Sequence, residues 1–138
     1  MKKVKINDFR FFNNVYGREY YYYFRLDNSS IVSRDELKSA YGFDNSIFAD
    51  LWELRYSYDI IPVFCVNYNE ILLEYLRSMK NMEIDRITRH MTGDKLWLWF
   101  DRRSETDRSF SDWDKYCDNK IIELAVEWCE ENNIPYMR

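Results

Sequence analysis

Residues 111–131 repeat their apolar side chains at the spacing of one helix face, which constrains the fold more than any other segment of this 138-residue chain. Asp112 and Asp114 fall in the first turn, where the helix dipole favours acidic side chains. The apolar stripe consists of Trp113, Cys117, Ile121, Leu124, Ala125 and Trp128. We therefore predict a long C-terminal amphipathic helix that begins at Ser111, ends at Glu131 and buries its tryptophan side.

Capping residues mark two further helices in the first half of the chain. Ser33 and Glu36 have the capping-box spacing, so a short helix should follow them and stop at Gly42. A second helix is predicted to begin near Asp44 or Asn45 and to carry Ile47, Phe48, Leu51, Trp52 and Leu54.

The segment after residue 66 is also rich in helix signals. Residues 67–80 place apolar side chains at i, i+3, i+4, i+7, i+8 and i+11, which is one face of a helix. Residues 83–91 indicate another helix, with Gly93 just beyond its end. Residues 95–100 are too short and too apolar to assign by periodicity, and residues 101–108 are interpreted as a charged loop.

Strand signals are fewer and shorter. The tyrosine run at residues 20–24 predicts a strand, because aromatic residues favour pleated, half-buried surface, and Ile31 should lie in a short return strand. Residues 60–64 predict a third strand, which Pro62 confines to an edge or a strand end. The chain is therefore predicted to be a single α+β domain over residues 1–138, with a small antiparallel sheet packed against four to five helices.

Three stretches resemble the UPF0158 family of uncharacterised bacterial proteins. They are FRLDNSSI at residues 24–31, the segment from IIP at residues 60–62 to Leu76, and the closing helix with EWCEENNIP at residues 127–135. The similarity spans about residues 20–136 and departs from the family pattern at residues 93–100. The resemblance implies the fold and brings with it no activity and no site residues.

No catalytic motif stands out. His90 is the only histidine, nothing near it resembles a nucleophile elbow, and the three glycines form neither a Walker motif nor GxGxxG. The three cysteines, Cys65, Cys117 and Cys129, include no CxxC pair, which indicates neither a disulfide framework nor a zinc site. We therefore expect a protein that is not an enzyme and that uses no cofactor and no metal.

The N-terminal residues include lysines but no apolar run after them, so we do not expect a signal peptide. No apolar stretch approaches the ~20 residues that a membrane-spanning helix needs. These features favour a cytoplasmic protein without a membrane partner.

Two surfaces are candidates for contacts with another protein. Glu123, Glu127, Glu130 and Glu131 recur on one helix face, and residues 111–131 carry seven acids against two lysines. Such a face could bind a partner with a basic surface, although a purely solubilising role is the alternative. Tyr20, Tyr21, Tyr22 and Tyr23 must alternate between the two faces of a strand, so two of them project outward unless the sheet is covered on both sides.

A basic and aromatic patch is the third candidate. Arg86, Arg89 and His90 should share a helix face, and Arg102 and Arg103 follow a pair of tryptophans. Arginines beside aromatic rings can hold phosphates and stack on bases. Residues 81–108 nevertheless contain six acids against six Lys/Arg, which is typical of a solvated, salt-bridged surface.

The favoured hypothesis is a small cytoplasmic, non-enzymatic protein that acts through protein contacts, in the manner of an inhibitor or adaptor. An RNA- or DNA-binding module built on the arginines is the first alternative. An enzyme of unrecognised type around His90 is the second.

Overall fold

The structure, a computed structural model, describes residues 2–138, so Met1, at which the predicted domain begins, lies outside the described residues. The chain divides into two compact units. Unit 1 runs to Val66 and resumes at Ile121, and unit 2 is Asn67–Lys120.

The fold is mixed α and β, as predicted, with a small antiparallel sheet and a long C-terminal helix. The helices within residues 2–138 are α1 Arg34–Tyr41, α2 Leu51–Tyr58, α3 Tyr68–Ser78, α4 Met82–His90, α5 Gly93–Ser104 and α6 Trp113–Glu131. The strands are β1 Val4–Lys5, β2 Asn14–Val15, β3 Tyr22–Arg25, β4 Ser30–Ser33, β5 Ile60–Pro62, β6 Cys65–Val66 and β7 Tyr136–Met137. Short 3-10 helices cover Ile6–Arg10, Asn45–Ala49 and Arg108–Phe110.

Unit 1 is built around the antiparallel sheet β4-β3-β5. In its register Tyr23 lies between Val32 and Pro62, and Phe24 lies between Ile31 and Ile61. The predicted strands are confirmed, and Pro62 ends an edge strand, where its missing N–H does not interrupt the sheet. Two parallel pairs, β1 with β7 and β2 with β6, complete the strands of this unit.

Strand β3 is buried on both faces. Tyr23 and Phe24 are both 0% exposed although successive residues of a strand point in opposite directions. Tyr23 packs with Leu37, Phe48, Leu54 and Ile60. Phe24 packs with the aromatic cluster around Trp128. The alternative of a sheet covered on both sides is therefore the one that unit 1 adopts.

The strand begins two residues later than the predicted Tyr20. The backbone N–H groups of Tyr21 and Tyr22 both donate to Oδ1 of the buried Asn14, at 2.8 and 2.9 Å. The same side chain donates through Nδ2 to the carbonyls of Tyr22 and Val63. The Asn14 side chain thus makes the hydrogen bonds that a neighbouring strand would otherwise make at this end of β3. The strand propensity of the tyrosines cannot reveal such a partner.

The helix starts of unit 1 follow their capping residues. Ser33 and Glu36 form the predicted capping box, and Gly42 ends α1 with a left-handed φ of 69°. The single helix predicted from Asp44 is wrong, because the chain forms a 3-10 helix over Asn45–Ala49 and restarts as α2. The interruption is at Asp50, whose backbone is not helical and whose side chain caps α2 by accepting a hydrogen bond from the N–H of Glu53.

Unit 2 contains the other long periodic helix. Helix α3 is confirmed, with the predicted Asn67 as its N-cap. Its buried side packs into an aromatic core consisting of Leu72, Tyr75, Leu76, Ile84, Leu96, Phe100 and Phe110. Tyr75 donates to Asp112 at 2.6 Å, which satisfies its buried hydroxyl.

Two predictions in unit 2 are wrong. Helix α4 ends at His90 and is followed by an extended Met91, so Gly93 does not cap α4 and is instead the first residue of α5. The predicted charged loop at residues 101–108 is wrong in its first half, because α5 continues to Ser104. Helix α5 buries Leu96 and Phe100 while Leu98 remains 54% exposed, so its apolar residues occur on both sides and conceal the helical period.

Tyr23 leads to a prediction for high pH. Burial raises the pKa of Tyr23 from 10.0 to about 12, so the folded state keeps the phenol protonated after the unfolded chain has begun to ionise. This contribution to stability is fully present below pH 10 and is lost as the pH rises through 12. Between pH 8 and pH 11, the free energy of unfolding measured in urea should fall by about 1 kcal/mol more for the wild type than for Tyr23→Phe. Equal losses in the two proteins would contradict the assignment.

Among the described residues, the helices are too short or too polar to cross a bilayer.

Candidate functional site

Helix α2 presents an aromatic surface to solvent. Trp52 is 68% exposed and Tyr56 is 67% exposed, and their ring centroids lie 4.9 Å apart. The guanidinium of Arg55 lies 5.6 Å from the centroid of the Tyr56 ring. With Leu51, these residues occupy one side of the helix, whereas Leu54 on the other side is buried. We call Leu51, Trp52, Arg55 and Tyr56 the α2 face.

The α2 face exposes residue types that proteins usually bury or place at interfaces. Trp, Tyr and Arg are the residues that most often dominate binding energy at protein–protein contacts. An exposed Trp and Tyr held against each other on a helix offer a large contact area with little side-chain entropy to lose. Exposed side chains of these types are typical of interface anchors.

The surroundings of the α2 face are acidic. Residues 44–59 contain four acids, Asp44, Asp50, Glu53 and Asp59, and a single base, Arg55. Arg55 is itself paired with Asp59 at 3.3 Å, so the positive charge of this helix is neutralised locally. The potential around the aromatic pair is consequently negative.

A cavity of about 390 Å³ connects the end of α2 with the end of α6 within unit 1. Its walls include Arg55 and Asp59 from the α2 side and Asn132 and Asn133, which directly follow α6. Asp27 also lines it. The acidic C-terminal part of α6 therefore adjoins the same region of unit 1 as the α2 face.

The predicted acidic residues are all at the surface. Glu123, Glu127, Glu130 and Glu131 are exposed on α6, and Glu130 accepts a hydrogen bond from the Tyr136 hydroxyl at 2.8 Å. The last turn of α6 contains no basic residue. Acidic side chains at a helix C-terminus oppose the helix dipole, so the dipole of α6 disfavours Glu130 and Glu131.

The tyrosine run is mostly inside unit 1. Tyr20 and Tyr22 are half-buried, Tyr23 is buried, and Tyr21 alone of the four is exposed, at 42%. The Tyr21 hydroxyl donates to Asp35 at 3.1 Å, which holds the ring against α1. The run contributes at most one side chain to a surface.

The arginine patch lies in unit 2, on two helices. Arg86, Arg89 and His90 are exposed on α4, and Arg102 is exposed on α5. Arg103 is not available as a free cation, because it pairs with Glu83 at 3.4 Å and with Asp107 at 3.3 Å. Hydrogen bonds from Ser109, and then from Arg103, hold the pKa of Asp107 below its ordinary value, so this ion pair persists well into acidic solution.

His90 lies exposed at the end of α4. Within residues 2–138, no hydroxyl, thiol or carboxylate hydrogen-bonds to it. Nor do three His, Cys, Asp or Glu side chains converge anywhere in that part of the chain as metal ligands. The cysteines Cys65, Cys117 and Cys129 are free thiols.

Comparison with family models, with curated proteins and with solved structures found no match to this chain. The resemblance to UPF0158 therefore stays a prediction from sequence.

The α2 face was missed by sequence reasoning. In the sequence, Trp52 is one of several apolar residues of a predicted helix, near Leu51 and Leu54. A helical projection that began at Leu51 would have separated Trp52 and Tyr56 from Leu54. That projection needs the helix start at Asp50, which the sequence did not predict.

Proposed function

We propose that the protein is a small non-enzymatic binding protein that acts by contacting another protein with a basic surface. The observation that carries this proposal is the exposed Trp52–Tyr56 pair on α2, set in an acidic surrounding. The aromatic pair supplies contact area that can be fully desolvated, and the acids supply charge complementarity at the rim.

The acidic end of α6 supports the same partner chemistry. Glu130 and Glu131 are exposed in the last turn of α6, where the helix dipole disfavours them, and the cavity lined by Arg55, Asp59 and residues 132–133 joins the end of α2 to the end of α6 in unit 1. A partner with an apolar pocket that receives Trp52, and with Lys and Arg around that pocket, would match both features. Long-range attraction between the two proteins would accelerate their encounter.

Removal of the aromatic pair should abolish partner capture. The double variant Trp52→Ala/Tyr56→Ala and the wild type are immobilised and exposed to host lysate after nuclease treatment. A protein retained stoichiometrically by the wild type should be lost by the variant, because two anchors of this kind each contribute about 2 kcal/mol or more, or roughly 30-fold in Kd. Capture should also weaken as salt is raised.

Tyr16→Ala is the matched control, since Tyr16 is 66% exposed, nearly as much as Tyr56, and lies outside α2. It should retain the partner at the wild-type level. Identical capture by the wild type and the α2 double variant would refute the role of the α2 face. A wild-type protein that retains no stoichiometric partner would refute the binding function itself.

A further inference from the structure

Helix α5 lines a cavity of about 480 Å³ in unit 2. Lys95, Leu98, Trp99, Arg102 and Arg103 follow one another at i, i+3, i+4, i+7 and i+8, so they share one side of α5. Met91, which follows α4, and Thr106 complete the wall. Leu96 and Phe100 on an adjoining side of α5 are buried in the core of unit 2, and Trp99 packs against that core from the cavity wall.

The cavity carries uncompensated positive charge. Within residues 2–138, neither Lys95 nor Arg102 has an ion-pair or hydrogen-bond partner, and both are exposed. Arg103 differs, because Glu83 and Asp107 hold its guanidinium in place. Lys95 and Arg102 are thus two unpaired cations on the same side of α5, two helical turns apart, and both line the cavity.

The space between the two cations is apolar and aromatic. Trp99 and Leu98 lie between Lys95 and Arg102 along the helix, and Leu98 is 54% exposed. The Trp99 indole packs edge-to-face with Phe110, with 6.2 Å between the ring centroids. Trp99 also lines the cavity, so its ring can stack against a flat ligand there.

We propose that this cavity binds a small anion attached to a flat aromatic ring, of the nucleoside monophosphate type. The volume falls within the range of about 300 to 1,000 Å³ of small-molecule sites. Lys95 and Arg102 match the charge of a single phosphate, and Trp99 matches the ring. The near balance of acids and bases in residues 81–108 disfavours a long polyanion, which needs a continuous row of free cations.

This site lies in unit 2 and is independent of the binding function proposed for the α2 face. The two can therefore fail separately. Nothing in the proposal requires a chemical step: the site binds and orients its ligand.

Isothermal titration calorimetry with AMP tests the proposal on the full chain, and amide NMR reports where AMP binds. AMP should bind with a Kd of about 1 mM or tighter and should shift resonances of residues 91–106. Adenosine and inorganic phosphate should each bind about tenfold more weakly than AMP, since each provides only one of the two contacts. Arg102→Gln and Lys95→Gln should each weaken AMP binding about tenfold.

Arg86→Gln is the matched control, since Arg86 is an exposed arginine of the same unit that does not line the cavity. It should bind AMP as the wild type does. Absence of AMP binding, or an equal loss in Arg86→Gln and Arg102→Gln, would overturn the proposal. It would also be overturned by a single-stranded oligonucleotide that binds far more tightly than AMP, with steep salt dependence and a requirement for Arg86, because that result describes a nucleic-acid surface.

Discussion

Asn14→Ala should destabilise unit 1 by about 4 kcal/mol, a large part of the stability of an ordinary domain. Asn14 is 2% exposed and forms four side-chain hydrogen bonds, to backbone groups of Tyr21, Tyr22 and Val63. Its removal leaves the N–H groups of Tyr21 and Tyr22 and the carbonyl of Val63 without this partner, at about 1 to 1.5 kcal/mol for each group, whereas the Tyr22 carbonyl still accepts from the N–H of Val63. Urea unfolding followed by circular dichroism measures the loss.

Asn13→Ala is the matched control for this prediction. Asn13 is the neighbouring residue of the same type, and its side chain donates to the nearby carbonyls of Phe9 and Arg10. Its replacement should cost about 1 kcal/mol. Similar losses for the two variants would mean that Asn14 is not a special link between the strands.

Asn14→Asp keeps the shape of the side chain but changes its hydrogen-bonding groups. The carboxylate can still accept from Tyr21 and Tyr22, but its second oxygen faces two carbonyls that need a donor. Protonation restores a donor, so the folded-state pKa of the new acid should be raised. The deficit relative to wild type should therefore be smallest below about pH 4 and grow as the pH rises from there through the raised pKa of the folded state. A deficit that does not change with pH would contradict this account.

Trp128→Ala should be the other severely destabilising substitution, at about 4 kcal/mol. Trp128 is 9% exposed, and its ring centroid lies 5.5 Å from Phe9, 5.6 Å from Phe24 and 6.1 Å from Phe64. Truncation leaves a large cavity among rings that cannot collapse into it, and it removes three aromatic contacts. Thermal or urea unfolding measures the change.

Trp52→Ala removes the same side chain from the surface and serves as the control for Trp128→Ala. Because Trp52 is 68% exposed, its truncation should change the free energy of unfolding by less than about 0.5 kcal/mol. Trp128→Phe should retain much of the lost stability, since a ring remains. Comparable destabilisation by Trp52→Ala and Trp128→Ala would contradict the assignment of one to the core and the other to a binding surface.

Local signals in the sequence were sufficient for much of the secondary structure. The periodic stripes of α3 and α6, the capping box at Ser33 and the left-handed Gly42 are read within one or two helical turns, and the structure confirms them. Helix α5 was not found, because its exposed Leu98 interrupts the separation of apolar and polar sides by which an amphipathic helix is recognised.

The sequence by itself determined the class of fold, the long C-terminal helix and the acidic surface of α6, since each depends on spacing along the chain. Only the tertiary structure decided which aromatic residues are inside. It buried Tyr23 and Trp128 and left Trp52 and Tyr56 in solvent, although all four are aromatic residues in or next to regular elements. The reason is that burial depends on which faces meet after long-range packing, and hydrogen bonds such as those of Asn14 to Val63, 49 residues away, leave no local pattern.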